Sequence, residues 1–147
     1  MKIKLLLITI VLLLFVGVPE SKAFFSLNMP EFLVGSPTYE EAYRSDKPMV
    51  IFFYVNWCSG CKKFVPKLEA LRTRYEGSYN FVKINAEDSK YVNTAKAYGI
   101  FGYPTMYIVD PVNGRKQLID FSYFNNVEGL QNYLDNYLKN RKVTKKK

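Results

Sequence analysis

Cys58 and Cys61 are the only cysteines in a chain of 147 residues, and they stand three apart in Trp57-Cys58-Ser59-Gly60-Cys61-Lys62. Two thiols at that spacing can exchange disulfides, close a structural disulfide, supply half of a zinc site, or sit reduced in a core. A closed zinc site takes four ligands, and this chain has no histidine and no third cysteine, so no metal is expected. A purely structural disulfide at this spacing closes a very small loop and gains little chain entropy. The segment Trp57-Cys58-Ser59-Gly60-Cys61 is polar for a pair of buried core thiols. Exchange is the reading these residues favour, with the others as alternatives.

The flanking elements must position the sulfurs. Met49 to Val55 is an apolar run rich in β-branched and aromatic residues and reads as a buried strand. Lys62 to Tyr75 carries Phe64, Val65, Leu68, Leu71 and Tyr75 at helical spacing. The pair therefore sits where a strand ends and a helix begins. The first turn of a helix offers unsatisfied N–H groups and the positive end of the macrodipole. A Cys58 thiolate is stabilised there, so its pKa is expected below the roughly 8.5 of a free thiol. Cys61 lies on the same helix face, within disulfide reach. Cys58 is the expected nucleophile and Cys61 the thiol that resolves the mixed disulfide.

The segment from Val55 to Phe64 resembles the active-site segment of the thioredoxin superfamily. Pro66 matches the proline in that family's active-site helix, and Lys83 matches a lysine on its next central strand. Tyr98-Gly99-Ile100-Phe101-Gly102-Tyr103-Pro104-Thr105 resembles the run that ends in its cis-proline, and Asn113-Gly114 falls at its late hairpin. The resemblance covers roughly Thr38 to Leu138. It implies an α/β thioredoxin fold, a central mixed β-sheet flanked by helices. It implies a protein disulfide oxidoreductase whose only redox group is the Cys58–Cys61 pair, without a separate cofactor.

By the same resemblance Pro104 is cis and faces the cysteines, where it helps bind an extended substrate, and Tyr103 tunes partner choice. Trp57 is expected to shield the sulfurs and offer an apolar surface, with plain core packing as the alternative. Ser59 and Gly60 set the redox potential. One departure stands out: the family's buried acid, six residues before the first cysteine, is replaced by Phe52. Lys83, with water, is the nearest other helper for the resolving thiol. Gly60 stands where strong oxidases and isomerases of the superfamily carry histidine, which favours a reductant. An oxidase or isomerase, and a redox-inert binding module, are the alternatives.

Met1-Lys2-Ile3-Lys4 is followed by a 14-residue apolar run, Leu5 to Val18, and by Ser21 and Ala23 in small-x-small order. This is the pattern of a secretory signal peptide, residues 1–23, cleaved after Ala23. An uncleaved anchor through residues 5–18 is the alternative, although that run as a helix reaches only about 21 Å. The expected compartment is the periplasm or another extracytoplasmic space, where disulfides persist. A reductant there needs a membrane electron donor, and its substrates are protein disulfides or dithiols. The formal charge is +8, much of it in a basic tail, residues 141–147. The tail is expected to be solubilising, with weak contact to a membrane surface as the other reading. No nucleic-acid motif is present.

Residues 24–35 read as an extended leader, and residues 36–140 as the domain. Within it the expected elements are a short helix from Ser36 to about Ser45 with a capping box at Thr38 and Glu41, the strand 49–55, and a helix from Cys58 to near Gly77. A strand 80–85, a helix 88–98, strands 105–109 and 117–121, and a closing helix 127–140 follow. The α-β-α-β-α order of the first half points to a mostly parallel layer covered by helices.

Overall fold

The computed structural model describes residues 28–141. Residues 1–23, read above as a signal peptide, the first four residues of the expected leader and the tail beyond Arg141 lie outside the described residues. Residues 80–85 and 127–140 take up their elements with the expected bounds, as β2 (Asn80–Asn85) and α4 (Val127–Asn140). The others are α1 (Tyr39–Tyr43), β1 (Met49–Tyr54), α2 (Ser59–Arg74), α3 (Val92–Ala97), β3 (Thr105–Asp110) and β4 (Arg115–Ile119). Among the described residues no helix is long and apolar enough to cross a membrane.

The sheet order is β2-β1-β3-β4. β1 runs parallel to β2 and antiparallel to β3, and β3 pairs antiparallel with β4. The sheet is therefore mixed, with its one parallel pair bridged by α2, a crossover of the length such a connection needs. Alternation along β1 sends Val50 and Phe52 to one face and Met49, Ile51 and Phe53 to the other. The first set joins Phe64, Leu68 and Leu71 of α2 and Leu130 and Leu134 of α4; the second joins Ala42, Ala95 and Tyr98. β1 is buried on both sides because helices cover both faces, which explains its unbroken apolar sequence.

Thr38 caps α1 as read: its Oγ1 accepts from Glu41 N–H, and Glu41 reaches back to Thr38 N–H at 2.7 Å. Four expected elements differ in their bounds by more than one residue: the helix read from Ser36 to about Ser45 is Tyr39–Tyr43, since Thr38 is its cap and Pro37 precedes it, and the helix read to near Gly77 ends at Arg74. The helix assigned to 88–98 starts only at Val92, because Asp88 takes the Lys90 N–H on its side chain and Tyr91 N–H on its carbonyl, which shapes a turn first. Its end is as read, with Gly99 at φ 63. The strand assigned to 117–121 is Arg115–Ile119, since Asp110 and Asn113 fold the connection tightly and let pairing start at Arg115. Phe121 passes instead into a 3-10 turn, Phe121–Phe124, that Asp120 caps through Ser122 N–H.

Asn28 to Gly35 forms neither helix nor strand, yet Phe32 and Leu33 are buried. At the other end Arg141, counted on sequence with the basic tail, lays its guanidinium on the fully buried carboxylate of Asp110. Nε meets Oδ2 at 2.7 Å and Nη2 meets Oδ1 at 2.9 Å.

Candidate active site

Cys58 is the N-cap of α2. Its backbone is extended (φ −71°, ψ 103°), and its Sγ accepts the Cys61 N–H at 3.0 Å. One of the orphan donors of the first turn is thus aimed at the sulfur that would carry charge. The two cysteines are joined in a disulfide with Cα atoms 5.3 Å apart. Cys58 retains 5% exposure and Cys61 none. Cys58 thus keeps a small exposed surface while Cys61 is enclosed, an asymmetry that suits sequential attack and resolution. The helix continues through Pro66 to Arg74, with Arg72 and Arg74 at the end where the dipole favours cations.

Five residues, Trp57, Ser59, Gly60, Tyr103 and Pro104, surround the cysteine pair. The Tyr103–Pro104 peptide bond is cis. A Cβ built on Gly60 would stand 3.3 Å from Pro104 Cδ, so Pro104 lies directly against the dipeptide between the cysteines. Trp57 is 66% exposed, which rules out the core-packing reading of that residue. Its ring meets Tyr103 edge to face at 6.3 Å, and its Nε1–H donates to Glu87 Oε1 at 3.0 Å. Ser59 and Gly60 form the exposed first turn of α2.

Behind the sulfurs the surroundings are apolar. Phe52 is fully buried, stacked on Phe64 at 5.9 Å and met edge-on by Phe32 at 5.8 Å. Lys83 is the β2 partner of Phe52 in register and faces the same side. Its ammonium is already engaged: it donates to the Phe32 carbonyl and lies 5.1 Å from the Phe32 ring centroid. Glu69 of α2 accepts the next N–H, that of Leu33. Burial opposes ionisation of Glu69, but Leu33 N–H, Arg72 and Lys83 outweigh it and hold the carboxyl below its usual range. Residues 32 and 33 are thereby strapped between α2 and β2.

Cys58, Cys61, Trp57, Ser59, Gly60, Tyr103 and Pro104 come together as one constellation; Lys83 stands behind it under the strap. Four participants were not named from the sequence. Glu87 lies 30 positions from Trp57, and nothing in the sequence links them. Phe32 lies in a stretch without periodicity. Phe121 and Phe124 border a cavity of about 120 Å³ with Gly60, Lys63, Phe64, Lys67, Pro104 and Asn125. Their signal was available: Asp120 two residues before Ser122 is a turn cap. Among the described residues no cluster of three or more metal-ligating side chains occurs.

Comparison with known proteins follows the geometry. The family model described as Thioredoxin matches residues 32–136. A thioredoxin of Borreliella burgdorferi is 33% identical over 97 residues, covering 63% of this chain and 80% of that protein. The chloroplastic thioredoxin-like protein HCF164 of Arabidopsis thaliana is 28% identical over 86 residues, 58% of this chain. The match spans only 33% of that relative's length. The crystal structure of Deadhead, a germline-specific thioredoxin of Drosophila melanogaster, superposes with a TM-score of 0.54 at 21% identity, covering 65% of this chain and 87% of that one. With the motif, the architecture and the family model in agreement, the chain has the α/β thioredoxin fold and belongs to the thioredoxin family.

Proposed function

We propose that the chain is an exported thiol–disulfide oxidoreductase that reduces protein disulfides. The observation that carries this is the unequal pair: Cys58 Sγ at the mouth of α2, accepting the Cys61 N–H at 3.0 Å, with Cys61 fully enclosed behind it. In the reduced protein the Cys58 thiolate attacks a substrate disulfide. A Cys58–substrate bond forms, the substrate bond breaks, and the first substrate thiolate leaves and takes a proton. Cys61 then loses its proton and attacks Cys58 Sγ, expelling the second substrate thiolate. Two electrons pass to the substrate, and the Cys58–Cys61 disulfide remains.

Pro104 and Tyr103 flank the path of an extended substrate, and Trp57 covers its apolar side. Gly60 against Pro104 leaves no imidazole beside Cys61 to favour the thiolate form, which supports a reducing role. Export rests on the Met1–Ala23 pattern. Outside the cytoplasm the pair is recharged by an external dithiol, for which a membrane electron donor is the proposed source. The tail after Arg141 adds weak attraction to an anionic surface.

Two measurements test this. A Cys61→Ala variant should accumulate mixed disulfides through Cys58; if it accumulates none, the exchange reading is lost and a redox-inert binding module takes its place. The equilibrium potential of the pair should lie near the roughly −270 mV of thioredoxin; a value near the roughly −120 to −180 mV of exported oxidases and isomerases would reverse the direction of electron flow.

A further inference from the structure

The surroundings of the Cys58–Cys61 pair are charged differently on two sides. On the Trp57 side stands Glu87, held at 3.0 Å by the indole N–H, with Asp88 next in sequence. On the other side lies the cavity bordered by Pro104, Phe64, Phe121 and Phe124, whose only charged lining residues are Lys63 and Lys67. Both lysines are exposed and one helical turn apart on α2. Lys67 is held over the cavity, one of its ammonium hydrogens directed at the Phe124 carbonyl at 3.3 Å. Phe121 is 63% exposed, so the apolar wall extends outward from the cavity.

The cavity adjoins the reactive site, because Gly60, which stands between the cysteines, lines it together with the Pro104 that lies against Gly60. Its volume, about 120 Å³, is close to the roughly 150 Å³ that accommodates a benzene-sized ring. It is open to solvent, so a side chain can enter from a segment lying across Pro104. A ring or branched aliphatic chain would rest on Phe64, Phe121 and Phe124. A carboxylate next to it along an extended segment would lie within reach of Lys63 and Lys67, since neighbouring residues advance only about 3.3 Å.

We propose that this cavity is a specificity subsite, and that the substrates of Cys58 are extended segments in which the disulfide cysteine is followed or preceded by a large apolar residue and then an acidic one. The proposal rests on the exchange reading of Cys58 and names the substrate class for it. The Phe121–Phe124 wall selects the apolar residue, and the lysine pair selects the acid. Glu87 on the opposite side repels the same acid and so fixes which end of the segment lies over which wall.

The test uses matched disulfide-linked peptides with Phe beside the cysteine and either Glu or Lys beyond it, made in both chain directions. The small uncharged hydroxyethyl disulfide serves as reference substrate. The wild-type protein should reduce the Glu peptide of at least one direction about tenfold faster in kcat/KM than its Lys counterpart, with the gap narrowing as salt rises. A Lys63→Glu/Lys67→Glu variant should invert that preference, each peptide rate being taken relative to the same variant's rate with hydroxyethyl disulfide. Phe121→Ser should lower kcat/KM for both peptides relative to the same variant's rate with hydroxyethyl disulfide. Equal rates for Glu and Lys peptides, or an unchanged preference in the charge-reversed variant, overturn the proposal. Failure to reduce even hydroxyethyl disulfide overturns the exchange reading, and the subsite with it.

Discussion

Arg141 gives the sharpest quantitative test of the fold. Its guanidinium makes two short bonds to Asp110 and a third to the Asp46 carbonyl. Asp110 has no exposed surface, and the Arg141 side chain keeps 13%. The node ties the end of α4 to the end of β3, to the β3–β4 connection and to the segment before β1. Breaking a buried pair by removing one partner costs about 3–5 kcal/mol, because a charge is left uncompensated. Here Asp110 keeps the Val112 N–H at 3.0 Å and the Asn113 Nδ2–H at 2.9 Å, which places Arg141→Ala at the lower end, about 3 kcal/mol. That is a large part of the 5–15 kcal/mol of a typical domain. Urea unfolding of wild type, Arg141→Ala, Asp110→Asn and the double variant forms a cycle, and the two single losses should fall short of adding by at least about 1 kcal/mol. Acid should act on the same node. Burial raises the Asp110 carboxyl, but Arg141 and the Val112 and Asn113 bonds outweigh it and hold it below the usual carboxylate range. A depressed carboxyl stabilises above its unfolded value and loses that contribution as pH falls through the lower folded one, so acid sensitivity below about pH 4 should flatten in Asp110→Asn. A loss under 1 kcal/mol for Arg141→Ala, or additive single variants, would refute the reasoning.

Other consequences can be checked separately. Tyr75 donates to Gln131 O and to Asp135 Oδ1, and burial together with Asp135 pushes it up to about 12. The folded protein therefore keeps a proton that the unfolded chain releases near 10, and stability should decline from about pH 10 to 12, with Tyr75→Phe removing its share of that slope in alkaline urea titrations and the rest remaining with other tyrosines that burial also raises, Tyr79 and Tyr98 among them. Gly60→His should make the pair more oxidising by about 30 mV or more, a tenfold change in the equilibrium with glutathione, even though its Cβ must displace Pro104 slightly. Glu87→Ala releases the indole; Trp57 fluorescence should change and peptide-disulfide reduction should fall about threefold, as expected for one exposed hydrogen bond.

The strands and the reactive pair were legible because their signals are local. β1 is buried on both faces and says so in every residue, and Trp57-Cys58-Ser59-Gly60-Cys61 needs only its neighbours to place it at a helix mouth. What escaped depends on residues far apart in the chain. Phe32 gains its place from Phe52, Tyr54 and Lys83, none of which marks it in sequence. Arg141 resembles its basic neighbours until Asp110 is brought beneath it. The late start of α3 and the early start of β4 both came from side chains that take backbone donors, Asp88 in one case and Asp110 with Asn113 in the other. Such competition shifts boundaries without altering the apolar pattern from which elements are read.

The strap also changes what can be expected of the second chemical step. Sequence pointed to Lys83 as a helper for Cys61 once Phe52 had replaced the family's acid. The structure commits Lys83 to the Phe32 carbonyl and encloses Cys61 in the same apolar cluster as Phe32, Phe52 and Phe64. Burial of that kind disfavours a thiolate. Attack by Cys58 is served by a helix terminus already in place, whereas resolution by Cys61 must first expel a proton from apolar surroundings. Phe52→Asp alone is a poor test, since a carboxylate set among Phe32, Tyr54 and Phe64 would cost stability as well as supply a base. Lys83→Met separates the effects: if the ammonium only ties down the strap, resolution keeps its pH dependence and unfolding becomes easier. If the ammonium draws the Cys61 proton away electrostatically, the pH profile of resolution moves alkaline, and the committed hydrogen bond is not its whole role.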